Sequence, residues 1–156
     1  MVKGTFLSFG VLACATSALL AQTPQYLAVK FADLANYSYN AKEPWASTPH
    51  VARPSGIPPQ IWWLDGQRVA VLGSLMPINW DTDGASEFIL MVSQDMCGFG
   101  AIPRLNESIH VVMKNRVQKR LFQGAEYQVK GMLHIKEEIE DDLVVGLYSI
   151  DGDNVE

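Results

Sequence analysis

"QRVAVLGSLMP", residues Gln67 to Pro77, sets Val69, Val71 and Leu75 in alternation with Arg68, Ala70 and Ser74. A period of two is the pattern of a strand with one buried face. Gly73 stands inside the run, where a glycine marks a bulge or sharp bend, and Pro77 is expected to end the strand. Downstream, "DTDG" (Asp81–Gly84) reads as a turn. "EFILMV" (Glu87–Val92) is a short continuous apolar run, as expected of a strand covered on both faces. "SIHVVMK" (Ser108–Lys114) gives a third strand. "NRVQKRLFQG" (Asn115–Gly124) is polar with Val117, Leu121 and Phe122 on one side and Gly124 as a stop, which predicts a short helix. "EYQVKGMLHI" (Glu126–Ile135) alternates Tyr127, Val129, Gly131, Leu133 and Ile135 and is the clearest strand in the chain. "KEEIEDD" (Lys136–Asp142) reads as a charged loop, and "LVVGLYSI" (Leu143–Ile150) as the fifth strand.

Three strands, a short helix and two more strands form the element order of the OB-fold, a small Greek-key barrel. Gly73 suits its first strand, which serves both halves of the barrel and must coil sharply. An open five-stranded sheet would leave edges that need protection. The expected architecture is therefore mainly β: a five-stranded OB-like Greek-key barrel over residues 64–156, with a short helix and an extended N-terminal arm.

The preceding chain divides in two. Residues 22–63 form an arm and linker. "YLAVKFADLANYSY" predicts a short strand near Val29–Phe31 and a turn of helix near Asp33–Asn36. "EPWASTPHVARPSGIPPQ" (Glu43–Gln60) holds five prolines, which argue against helix or central strand. Trp45 is its expected surface anchor. Residues 1–21 have a lysine at position 3, an uncharged apolar run from Phe6 to Leu20 and small residues near the end. That is the layout of a secretory signal peptide cleaved after Ala21, too short to span a bilayer comfortably. The rival reading is lipid attachment at Cys14 within "VLAC". The chain is thus expected to be exported, periplasmic or extracellular, and held at a membrane only if lipidated at Cys14.

Charge narrows the partners. The 156 residues carry 12 basic and 17 acidic side chains, a formal net charge of −5; removal of Lys3 with the leader makes it −6. An acidic exported domain is repelled by phosphates, so nucleic acid is not expected as a partner. Lys114, Arg116, Lys119 and Arg120 are basic neighbours, and Trp62, Trp63, Trp80, Phe99 and Tyr127 offer aromatic surface. The bland reading prevails for both: a solvated helix face, and core or seam residues. Loss of Cys14 leaves Cys97 without an intramolecular partner, so the fold cannot rest on a disulfide.

Several phrases together, "FADLANYSY", "LDGQRVAVLGSLMPI", "EFILMVSQDMCGFGAIPRLNESIHV", "VKGMLHI" and "LVVGLYSIDGD", resemble an exported bacterial family, domain of unknown function 3299. The resemblance runs from Val29 to Val155, and "FILM…MC.FG..P..NE" is its most specific part. It implies an OB-like barrel in the periplasm, outside the cell or attached by lipid, and it implies no reaction or substrate. The family's turn holds two adjacent cysteines or a Cys-x-His where this chain has Cys97-Gly98-Phe99. A tryptophan often follows the family's "NE", where this chain has Ser108.

Four readings of Cys97 stay open. A nucleophile would need a base, and neither His50, His110 nor His134 lies in a motif that partners cysteine. A zinc or copper site would use Cys97 with His110 and His134, brought together by barrel strands. An intermolecular disulfide is the third reading. The fourth is structural: a small residue in a glycine-containing turn, with Pro103 and Asn106 shaping the next bend. "DTDGASE" lacks the further ligands of a calcium loop and reads as a hairpin turn. "EEIEDD" reads as a solvated hairpin tip. No catalytic constellation emerges. The sequence points to an exported, non-enzymatic binding or adaptor module for an unknown protein or small ligand, without a required cofactor. A metal-handling protein and a redox-reactive thiol protein are the alternatives.

Overall fold

The computed structural model describes residues 25–39, 56–81, 84–92, 104–118, 121–141 and 143–156. Six strands and two short helices follow one another: β1 (Leu27–Val29), α1 (Phe31–Ala35), α2 (Pro59–Trp62), β2 (Arg68–Asp81), β3 (Gly84–Met91), β4 (Ser108–Val117), β5 (Glu126–Glu140) and β6 (Leu143–Val155). Five of them close a ring in the order β2–β3–β4–β6–β5–β2. All the ring pairings are antiparallel except β4 with β6, which run parallel from His110↔Ser149 to Met113↔Gly152. This is the OB topology expected from the element order.

The long strand β2 makes closure possible. Arg68 to Ser74 pairs with Met132 to Glu126 of β5, and Ser74 to Asp81 pairs with Met91 to Gly84 of β3. The handover falls at Gly73. A Cβ there would lie 2.8 Å from Leu90 Cγ, 2.8 Å from the Met91 carbonyl oxygen and 3.2 Å from Phe31 Cδ2. Only a residue without a side chain lets β2 pass so close to β3 and the arm. On the side of β2 that β3 leaves open, β1 pairs in parallel, Leu27↔Val69 to Val29↔Val71.

The interior is one apolar cluster. Val69, Val71, Leu75, Phe88, Leu90, Ile109, Val111, Val129, Leu133, Leu147, Tyr148 and Ile150 are buried in it, with Phe31, Leu34, Ile57, Ile61 and Leu64 of the arm. The alternation of Val129, Leu133 and Ile135 in β5 is the inward face the sequence predicts. Arm and ring share the core through Phe31, Leu34 and Ala35 of α1, while Leu27 and Ala28 of β1 stay exposed.

Several local expectations fail for identifiable reasons. Pro77 does not end β2, which runs on to Asp81. Past Leu75, which also bonds to Gly124 and Ala125, that strand pairs with β3 alone among the described residues, and the register slips between Pro77 and Asn79. A proline is tolerated on such an edge or bulge. Residues 115–117 continue β4, with Val117 paired to Ala85, and residues 121–124 are not helical. Asn115 and Val117 are weak helix formers, and the ladder claims them.

The charged stretch at 136–140 is strand, because β5 extends to Glu140, which pairs with Leu143 of β6. β3 is covered more fully on one face than the other: Phe88 and Leu90 are inside, while on the outer face Met91 is buried and Glu87 and Ile89 are half-buried. Pro59 opens α2, since the first helical turn does not need its N–H. The arm's strand lies at Leu27–Val29, and Phe31 instead begins α1. Trp63, expected in the core or seam, is 67% exposed.

Candidate functional site

Two hairpins, β2–β3 and β5–β6, extend from one region of the ring, and a cleft of about 360 Å³ lies among them. Its lining comes from every strand of the ring: Ile78 of β2, Glu87 and Ile89 of β3, Ser108 and His110 of β4, Glu138 and Glu140 of β5, and Val145 of β6. Strand register explains the juxtaposition. Ile89 lies opposite His110 and Met91 opposite Ser108, so Glu87, Ile89, Ser108 and His110 share the outward face of the β3–β4 pair. Ligands of OB-folds bind on this surface, the second and third ring strands flanked by two hairpin loops.

His110 is the centre of the cleft. Its Nε2 is 2.7 Å from Glu87 Oε1 and its Nδ1 is 3.3 Å from Glu138 Oε2. Asn79 Nδ2 donates to the other Glu87 oxygen. The hydrogen bond from His110 is the main reason the Glu87 carboxyl is held below the usual carboxylate range; the Asn79 amide adds to it, against partial desolvation. Glu138 sits over Gly146, with its Oε2 3.0 Å from where a Cβ of residue 146 would stand. The rim is aliphatic: Ile78 and Val145 are 46% and 45% exposed, and Ile139 and Leu143 are exposed on the β5–β6 hairpin.

The sequence-derived metal candidates fall as follows. His110 and His134 both pair across β6 with Ser149, His110 from β4 and His134 from β5. They therefore face the same side, one strand apart, at roughly 10 Å between Cα atoms. Each imidazole turns to its own acid: His134 Nε2 is 3.0 Å from Asp151 Oδ2, and both His110 nitrogens face glutamates. Cys97, Cys14 and His50 lie outside the described residues. Among the described residues, no three Cys, His, Asp or Glu side chains are grouped to hold a metal ion.

Sequence reading missed Glu87 and Glu138 because their meeting with His110 depends on ring closure. The one available signal was that each acid follows the strand alternation into a position beside an apolar residue.

The specific "NE" of the family-like phrase has a structural place. Asn106 is fully buried; its Nδ2 donates to the carbonyls of Ala35 (3.2 Å) and Tyr37 (2.7 Å) at the end of α1. The Ala35 carbonyl also accepts from the Tyr37 N–H at 2.9 Å, so the side chain fastens the turn that follows α1. Glu107 accepts from the Arg104 backbone N–H (2.9 Å) and guanidinium (2.5 Å). Those bonds depress its carboxyl, against a smaller opposing effect of burial. Tyr37 and Tyr148 complete the joint between arm and ring, with their hydroxyl oxygens 2.5 Å apart. Of the basic neighbours, Lys114 pairs with Asp153 at 2.6 Å on β4 rather than on a helix. Lys119 and Arg120 lie outside the described residues.

Ring and cleft together define a small OB-like barrel with an arm built into its core. The chain matches the crystal structure of a DUF3299 family protein from Pseudomonas aeruginosa over 84% of its own length and 95% of that chain, with a TM-score of 0.54 at 16% identity. The likeness is one of fold, and it falls on the family whose phrases the sequence resembles. A putative aspartyl-tRNA synthetase from Leishmania major aligns with 90% of this chain and 22% of its own, at 6% identity and a TM-score of 0.41; a fit so loose bears on nothing further. No family model matches the sequence, and no curated protein does. Among the described residues, no helix is long and apolar enough to cross a membrane.

Proposed function

We propose that this chain is an exported, non-enzymatic binding module of the domain of unknown function 3299 family, and that the cleft between its two hairpins holds the ligand. The observation that carries the reading is the composition of the cleft, where an aliphatic rim of Ile78 and Val145 surrounds the carboxylates of Glu87, Glu138 and Glu140. Exposed aliphatic side chains gathered on two neighbouring hairpins mark a contact surface rather than a random surface. Acids among them favour a cationic partner, such as a protein segment bearing Lys or Arg next to aliphatic residues. The acidic balance of the chain argues against polyanions in the same place.

The test is fluorescence anisotropy with two labelled decapeptides, one alternating Lys with Leu and one alternating Glu with Leu. The reading expects saturable binding of the first only, weakened about tenfold or more in Glu140→Lys. Equal affinity for both peptides, or none for either, refutes it. Export is supported by the charged, apolar and small-residue regions of residues 1–21. Mass spectrometry of the mature chain is expected to find Gln22 at the N-terminus. A lipid on Cys14 would replace soluble export with anchoring, and an intact Met1 would overturn export itself.

A further inference from the structure

We infer that His110 is a proton-operated latch on this cleft, an internal cation that occupies the acids until it is deprotonated. The inference rests on the binding reading only for its consequence; the latch itself is read from geometry. His110 stands on β4 between Glu87 of β3 and Glu138 of β5. It therefore ties the β5–β6 hairpin to the β3–β4 face.

A neutral imidazole has one N–H donor and one acceptor nitrogen, while the protonated ring has two donors. With Nε2–H directed at Glu87, which Asn79 also holds, Nδ1 is left for Glu138. Protonated, the ring is a cation whose Nδ1 lies 3.3 Å from the Glu138 carboxylate, and that ion pair closes the latch. Deprotonated, Nδ1 turns a lone pair on a carboxylate oxygen 3.3 Å away, and the contact becomes repulsive.

The other groups around the ring leave this logic intact. Glu140 of β5 lines the same cleft and adds negative charge; Ile78 and Asn79 of β2, Ser108 of β4, and Val145 and Gly146 of β6 bring no charge. The Tyr148 hydroxyl, also of β6, is engaged with Tyr37 and Leu34. No described lysine or arginine lines the cleft to take the place of the ring. Loss of one proton therefore removes the only cation in the described lining of the cleft and releases the side-chain tie on the hairpin, whose backbone ladders remain. The cleft then opens and becomes more negative at the same step, as a cationic ligand requires.

The experiment uses the ligand-free full chain, so that its outcome is independent of the peptide assay. Amide hydrogen-exchange protection of Glu138, Gly146 and their neighbours is measured from about pH 5 to 8, the range in which histidines titrate, with correction for the intrinsic exchange rate. The His110 ring proton shifts are followed in parallel. Protection of the hairpin is expected to fall by up to about tenfold in step with the ring's protonation state, the loss of one half-buried ion pair. In Glu138→Gln the amide serves either state of the ring, by donating to the bare Nδ1 or accepting from the protonated one, and the dependence is expected to flatten. His110→Gln is expected to remove it. Protection that stays constant through the ring's titration, or that changes equally in Glu138→Gln, overturns the latch. A working latch in a chain that binds neither peptide overturns the binding reading alone.

Discussion

The hydroxyl oxygens of Tyr37 and Tyr148 lie 2.5 Å apart, joining the end of the arm's helix to the sixth strand of the sheet 111 residues later. Tyr148 also donates to the Leu34 carbonyl at 3.1 Å, so a pair of phenols fastens the arm where its apolar contacts alone would leave its backbone polar groups unmet. Tyr148 is fully buried. Tyr148→Phe is expected to lower stability by about 1–3 kcal/mol, because the Leu34 carbonyl and Tyr37 hydroxyl lose their partner together. Tyr37→Phe leaves the bond to Leu34 in place and is expected to cost less, about 1 kcal/mol. Urea unfolding of both variants checks the ranking.

The same phenols give the protein an alkaline limit. Burial raises the proton affinity of Tyr37, against the lowering effect of its bond to Tyr148; burial and the bond to Tyr37 both raise that of Tyr148. A group whose folded-state pKa is raised contributes stability that is complete below its unfolded value and lost as pH rises through the folded one. Stability is therefore expected to fall above about pH 10, the value for an unfolded tyrosine. Tyr148→Phe is expected to reduce that fall, as read from urea midpoints at pH 9 and 11.

At the acid end, Glu107 works in the opposite sense. Its carboxyl is depressed first by the Arg104 side chain, so its contribution is present above the unfolded value near 4.5 and disappears as pH falls through the folded value. Glu107→Gln is expected to destabilise the protein at pH 7 and to cost progressively less as pH falls below about 4.5. Equal loss across that range would mean that the side chain acts through packing alone.

Gly73→Ala tests the handover in β2. The added methyl would press on Leu90 and on the Met91 carbonyl at 2.8 Å, one a core side chain and the other backbone. Neither yields without shifting β3, and a loss of about 1–3 kcal/mol is expected. A neutral outcome in thermal unfolding would show that β2 does not pass this close to β3.

Much of this architecture was legible because ring strands alternate and turns break them. Val69 and Val71, and the series Val129 to Ile135, declared their inward face directly, and Gly73 announced the bend. The errors arose where a partner strand overrode local signals. Pro77 signals an end, but an edge position absorbs it; Asn115 to Val117 look polar enough for a helix, but Ala85 supplies a ladder partner. Lys136 to Glu140 read as loop because charges alternate with few apolar residues, yet β6 pairs with them. The site was less legible still. His110 stood out as a titratable residue on a strand, but the acids that hold it are 23 and 28 residues away in opposite directions. No spacing rule unites them before the ring closes.

The most direct test of the account is a map of backbone amide shifts as the alternating Lys–Leu decapeptide is titrated into the full chain above the His110 titration. The account expects the largest changes at Ile78, Glu87, His110, Glu138 and Val145, with the α1–β1 arm unmoved. Changes centred on the arm or on the opposite side of the ring, or none at a saturating peptide concentration, would contradict it.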